Sequence, residues 1–167
     1  SALRKRFVSA LNDRFPLTDK GDLEWILGVK VSRDRSKITL DLSHELYVRD
    51  LMQRFGSLLD GLTKRFDSPV DNTVRLSSDQ SPAIGSPEHE SMAAHHDDYM
   101  SLVGAFLWLS NVSRPELSFI SSQLARFVSN PGRAHYTAAL RVLLYLDGSS
   151  KRTLHFAPKP SLGFQVY

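Results

Sequence analysis

Apolar residues recur every fourth position at the start of the chain, at Leu3, Phe7, Leu11 and Phe15. This spacing predicts an amphipathic helix ending before Pro16, with Arg4, Lys5, Arg6 and Arg14 off the stripe. Residues 17–22 have turn chemistry. Residues 24–32 then alternate: Trp25, Leu27, Val29 and Val31 against Glu24, Gly28, Lys30 and Ser32, which predicts a half-buried strand. After the polar turn Asp34-Arg35-Ser36, the residues Ile38, Leu40 and Leu42 alternate again, so 25–42 reads as a β-hairpin. Ser43 is placed to cap a helix with Glu45 in its first turn, Tyr47, Val48, Leu51, Met52 and Phe55 as its stripe, and Gly56 as its stop.

No period decides residues 57–66, and residues 67–98, with Pro69, Pro82, Pro87 and many serines, read as a flexible linker. Helical spacing resumes at Tyr99 and runs to near Val112, breaking before Pro115. A second stripe, Leu117, Ile120, Leu124 and Phe127, ends at Asn130-Pro131-Gly132, and a third, Tyr136, Leu140, Leu143 and Leu144, ends at Gly148. Strand-like runs at Thr153–Phe156 and Leu162–Tyr167 follow. The expected class is α+β: an N-terminal helix and β-hairpin, a helical bundle, and a short C-terminal β-hairpin.

Charge sharpens this division. The net charge of +3 over 167 residues is unevenly placed: +4 in residues 1–66, −6 in 67–100 and +5 in 101–167. Two basic blocks flanking an acidic linker are consistent with a polyanionic partner, although ordinary solvated lysines and arginines give the same distribution. The length suits one domain or two small ones. The absence of cysteine excludes disulfides and thiolate metal sites, and no apolar run is long enough to span a bilayer. His95-His96-Asp97-Asp98 is a poor metal site, because adjacent ligands lack spaced partners. His44, His135 and His155 are isolated and read as structural.

Residues 99–131 carry the most information. Tyr99, Val103-Gly104, Trp108-Leu109, Ser113-Arg114-Pro115-Glu116, Phe119, Leu124-Ala125-Arg126-Phe127 and Pro131 follow one another in an order that resembles the Ty1/copia-type reverse transcriptases of LTR retrotransposons. The resemblance covers nearly the whole chain. It includes Phe15-Pro16-Leu17-Thr18-Asp19, Leu23–Val31 with its central Leu27-Gly28, Ile38–Tyr47, Leu51–Gly56, Ser68-Pro69-Val70-Asp71 and His135–Gly148.

The resemblance implies a fragment between the family's catalytic Y-V-D-D motif and its RNase H domain. Residues 1–42 would be the palm end with a primer-grip-like hairpin, 43–66 the start of the thumb, 67–98 a flexible acidic linker, 99–148 the helical thumb and connection, and 149–167 the first RNase H-like strands. Trp25 and Leu27 would anchor the hairpin, Gly28 would admit a sugar-phosphate closely, and Lys30 would reach a phosphate. Gly104 and Trp108, one turn apart, would track the minor groove of an RNA/DNA primer–template duplex. Met100 shares their face but is apolar where a polar residue is expected, and it is assigned to the core. Arg126, Arg133 and Arg141 are candidate phosphate contacts; Arg114 could pair with Glu116 or reach a phosphate, with a structural clamp at an interhelical corner the favoured role.

The parent would be an RNA-directed DNA polymerase that uses Mg²⁺. This chain carries none of the catalytic carboxylates, needs no cofactor of its own, and is expected to be inactive alone. Expected partners are the primer–template and the palm, fingers and RNase H parts of the parent polyprotein, in a cytoplasmic particle or the nucleus, with no membrane. The alternative is a domesticated remnant acting as a non-catalytic interaction or structural module.

Overall fold

The computed structural model describes residues 2–18, 21–62 and 66–158. It has the expected mixed α+β class, with a bundle of helices and one antiparallel four-stranded sheet. The first helix, α1 (Ala2–Asn12), forms but buries none of its residues: Leu3 is 80% and Phe7 66% exposed.

The hairpin is tighter than the alternation predicts. Strand β1 (Trp25–Ile26) turns back at Leu27-Gly28 into β2 (Val29–Asp34), pairing Ile26 with Val29 and Trp25 with Lys30. Leu27 and Gly28 have φ of 50° and 81°, the positive values that a two-residue turn between right-twisted strands requires. Trp25 therefore shares a face with Lys30, and Val29 and Val31 lie on the other face, correcting the single-strand expectation. Alternation of apolar and polar residues looks the same for a straight strand and for a strand that folds back on itself.

The second turn is held by Asp34, whose Oδ1 accepts from the Ser36 amide, the Ser36 hydroxyl and the Lys37 amide. It leads into β3 (Thr39–Ser43). The far strand β4 (Thr153–Phe156) does not start a separate hairpin among the described residues. It pairs antiparallel with β3, setting Leu154 opposite Leu42, and completes the order β1-β2-β3-β4. The expected strand at 162–167 lies outside the described residues.

The helical core follows the predicted stripes except on its last helix. Helix α2 (Glu45–Phe55) contributes Val48, Leu51 and Phe55; α4 (His96–Val112) contributes Tyr99, Leu102, Phe106 and Leu109. Helix α5 (Ser118–Ala125) adds Ile120 and Leu124, and α6 (Arg133–Gly148) adds Val142, Leu143 and Leu146. On α6 the stripe shifts: of Tyr136, Leu140, Leu143 and Leu144 only Leu143 is fully buried, and Val142 and Leu146 take the core positions. The Tyr99 hydroxyl donates to the Leu124 carbonyl, so a buried polar group is satisfied while its ring fills the core.

Residues 67–98, expected as a flexible linker, carry a 3-10 turn at Ser78–Gln80 and helix α3 (Pro87–Ala93), capped by the Ser86 hydroxyl on the His89 amide. Their first half lies against α6 as a strap. Asn130 donates to the Pro82 carbonyl, and the Arg141 guanidinium donates to Asp71 and to the Val70 carbonyl. His135 is fully buried, stacked on Phe127 at 3.9 Å, and bridges Gly132 N–H and the Ser77 carbonyl. An amide can only donate and a carbonyl only accept, so Nδ1 is the acceptor and Nε2 the donor, and the ring is neutral. Gly132 has ordinary extended backbone; what it supplies is space, because a Cβ there would stand 1.8 Å from the Gln80 carbonyl oxygen.

Two consequences are measurable. Gly132→Ala should lift the strap and cost about 3 kcal/mol in urea unfolding, as forced overpacking does. Acidification should also unlatch the fold. Burial lowers the pKa of His135, against a raising effect of its bond to Ser77, and burial together with the Arg114 charge lowers that of His44. Both folded values lie below the ordinary 6.5, so the stability these rings contribute is complete above pH 6.5 and is lost as pH falls through the folded values. The unfolding temperature should therefore drop between pH 7 and pH 5, and a His135→Asn variant, weaker at pH 7, should lose less over that interval.

Candidate nucleic-acid interface

Helix α4 presents two faces of opposite character. Tyr99, Leu102, Phe106 and Leu109 are completely buried. On the other side Met100, Gly104, Leu107 and Asn111 form a stripe open to solvent, with Met100 45% and Leu107 36% exposed, and Trp108 beside them is half-buried. Met100 thus lies outside the core to which its apolarity assigned it. The core positions of α4 are already filled by larger side chains, and the helix turns Met100 away with Gly104. A Cβ at Gly104 would meet nothing within 4 Å, and its φ is not in the left-handed region. Neither packing nor backbone geometry within this chain requires glycine there.

The sheet comes close to this stripe at one end. The row Trp25, Lys30, Ser43 and Thr153 runs across the four strands. His44, next to Ser43, sets its ring edge-on to Trp108, with centroids 6.0 Å apart and planes at 82°, and contacts Tyr47 in the same way at 5.9 Å. Its Nδ1 is hydrogen-bonded to the Ser113 hydroxyl. His44 thus fixes the half-buried Trp108 against the root of the hairpin, a role that its isolation in the sequence concealed. A histidine directly after an alternating strand carries no signal of a partner 64 positions away. The hairpin tip, Leu27-Gly28, projects into solvent, with Leu27 78% exposed.

The tie between the sheet and α4 runs through His44, which follows Ser43 and meets Trp108. The three arginines lie elsewhere. Arg126 at the end of α5, and Arg133 and Arg141 on α6, line a groove of about 1320 Å³ closed on its far side by the strap. Arg141 is committed to Asp71 and Val70 and lies 4.0 Å over the Phe66 ring. Arg126 and Arg133 are exposed.

Arg114 is a clamp. It is 2% exposed; its Nε donates to Glu116 at 2.6 Å, and its two terminal nitrogens donate to the Ser149 carbonyl and hydroxyl. Burial of Glu116 raises its pKa, but the bonds from Arg114, its own backbone and Tyr145, with the Arg114 charge, outweigh burial and hold it below the usual value. Among the described residues no group of three histidines or carboxylates could hold a metal ion, and Asp97 points to solvent, 95% exposed. The described residues therefore do not fit a Mg²⁺ site, and no metal-assisted step is assigned to this chain.

Known proteins resemble this chain along most of its length. It is 30% identical over 146 residues, 87% of the chain, to the retrovirus-related Pol polyprotein from transposon TNT 1-94 of Nicotiana tabacum. It is 29% identical over 97% of the chain to the putative transposon Ty5-1 protein of Saccharomyces cerevisiae, covering 48% of that protein. A shorter stretch of 58 residues is 40% identical to secreted RxLR effector protein 161 of Plasmopara viticola, 35% of this chain and 41% of the effector. The chain spans about a tenth of the length of the Pol polyproteins it matches. No family model and no solved structure matches it. The relatives that match over most of the chain include several retrotransposon Pol polyproteins, which support a retrotransposon-derived fragment.

An interior helical glycine costs roughly 0.5–1 kcal/mol relative to alanine. Since nothing in this chain needs Gly104, Gly104→Ala should stabilise the fold by about that amount in urea unfolding. A loss of stability would mean that an unseen neighbour of its own chain fills the site.

Proposed function

We propose that this chain is the nucleic-acid-holding part of a retrotransposon reverse transcriptase, comprising primer grip, thumb and connection, and that it positions an RNA/DNA primer–template. The observation that carries this is the open stripe on α4. A glycine that the fold does not need stands one turn from a half-buried indole, with exposed apolar neighbours, on a helix otherwise packed tightly. Such a face lets a sugar-phosphate backbone approach the helix and rest against a flat ring, and it reads duplex shape rather than sequence. The adjoining hairpin, with Trp25 and Lys30 side by side and Leu27-Gly28 at its tip, is the primer-grip element in this reading. The reaction itself belongs to the rest of the polyprotein, and this chain contributes orientation of the duplex.

A second reading has its own support. The stretch shared with the RxLR effector belongs to a protein whose name is not that of a polymerase. It favours a remnant kept as an interaction module, with the same α4 face as its contact surface.

Binding of a labelled RNA–DNA primer–template across a salt series separates the two. The first reading expects salt-sensitive affinity that Trp108→Ala and Gly104→Leu each weaken about tenfold, with circular dichroism unchanged. A folded chain with no affinity for the duplex at low salt would favour the remnant.

A further inference from the structure

The groove between α5, α6 and the strap has no part in the duplex-binding face, yet it gathers chemistry from three separate elements. Arg126 ends α5, Arg133 begins α6, and Arg75 lies on the strap. None of the three has a salt bridge among the described residues, unlike Arg141 deeper in the same groove, which Asp71 neutralises. Phe119 lies seven residues before Arg126, two helical turns away on the same side of α5, and is 63% exposed. On α6 the groove is lined by Ala134 and Ala138, small enough to let a chain settle between the helices.

We infer that this groove is a second nucleic-acid site, one that takes a single strand. An exposed aromatic ring beside guanidiniums that no carboxylate neutralises is the arrangement that suits unpaired bases. The ring stacks on a base of any identity, and the arginines meet the phosphates on either side. A duplex, whose bases are already stacked, has no use for Phe119. The carboxylates of the groove set the direction of the strand. Asp79, which accepts from the Ser77 hydroxyl, is on the strap, and Glu88 is on α3. The strand therefore follows the α5–α6 wall, where Arg126 and Arg133 lie. The inference rests on the nucleic-acid-holding reading above and extends it to the unpaired continuation of a template.

The test uses the 167-residue chain and two probes: a labelled twelve-nucleotide oligo(U), and a blunt RNA–DNA duplex without overhang. Phe119→Ala and the double variant Arg126→Glu/Arg133→Glu should each weaken oligo(U) binding about tenfold or more. The double variant should also flatten the salt dependence by about 0.7 in log–log slope for each phosphate that is no longer neutralised. Duplex binding should be little changed in both. All three side chains are exposed, and glutamate at the first turn of α6 suits the helix dipole. Arg126 closes α5, where glutamate opposes the dipole and gives up the bond to Gln123, so circular dichroism checks the fold. The milder pair Arg126→Gln/Arg133→Gln should weaken oligo(U) binding in the same direction. Trp108→Ala should show the converse, losing duplex affinity and keeping oligo(U). Oligo(U) binding that the groove variants leave unchanged, or no oligo(U) binding at low salt, overturns the site. Duplex binding that survives either of those results leaves the α4 reading standing by itself. An unsubstituted chain that binds oligo(U) but not the duplex removes the α4 reading and keeps the groove.

Discussion

The fold turns on one buried guanidinium. Arg114 sits where α4 ends, and it spans the corner to Glu116, the C-terminal end of α6 at Ser149, and the Tyr145 ring at 5.5 Å. A charge this deep is costly unless every donor is used, and here each of its three nitrogens donates. The residue before it, Ser113, bonds His44 at the head of α2. Two adjacent residues thus tie the sheet, α2, α4 and α6 at one point. Both exposed surfaces of interest are oriented from it. The Trp108 face is held through His44, and the groove wall is held through α6. Pro115 fits the same logic, because a proline cannot continue α4 and the chain must turn where the guanidinium needs it to.

The packing is uneven, and the unevenness has a direction. The bundle of α2, α4, α5 and α6 closes around a continuous apolar core. The N-terminal part does not: α1 buries no residue, and Trp25, Ile26 and Leu27 are each 46% exposed or more. Helix α1 is amphipathic, and among the described residues its apolar stripe is covered only in part, at Leu11. Apolar surface left uncovered over most of a helix is not how a helix stabilises itself in water.

Periodicity made the helical stripes legible, because burial at every third or fourth position leaves a mark in the residues themselves. Gly104 and Trp108 were readable as one face for the same reason. What periodicity could not show was the polarity of that face: Met100 is as apolar as any core residue, and only the neighbouring helices decide that it points outward. The strap was hidden for a different reason. Apart from the Arg141–Asp71 ion pair, its ties to α6 and to Asn130 run through the carbonyls of Val70, Ser77 and Pro82, groups every residue possesses, so a Ser- and Pro-rich segment looks much the same whether docked or free. The Leu27-Gly28 turn was masked by an alternation that a fold-back preserves. The groove arginines were visible as basic residues, but the division between Arg141, tied to Asp71, and Arg126 and Arg133, without such a tie, depends on which acidic residue the strap delivers.

The pairing of β4 with β3 governs the order in which the molecule can assemble. Asp41 and His155, 114 positions apart, meet across that ladder at 2.7 Å. A closure this long is entropically expensive until the intervening chain has already condensed. The helices must therefore form first and bring the two ends together. On the ribosome, the hairpin waits with the β3 edge bare until β4, 114 positions later at the Asp41–His155 pair, has been synthesised. The open backbone groups of Leu40 and Leu42 are then the segment most in need of protection from other chains, and β4 is the strand that provides it.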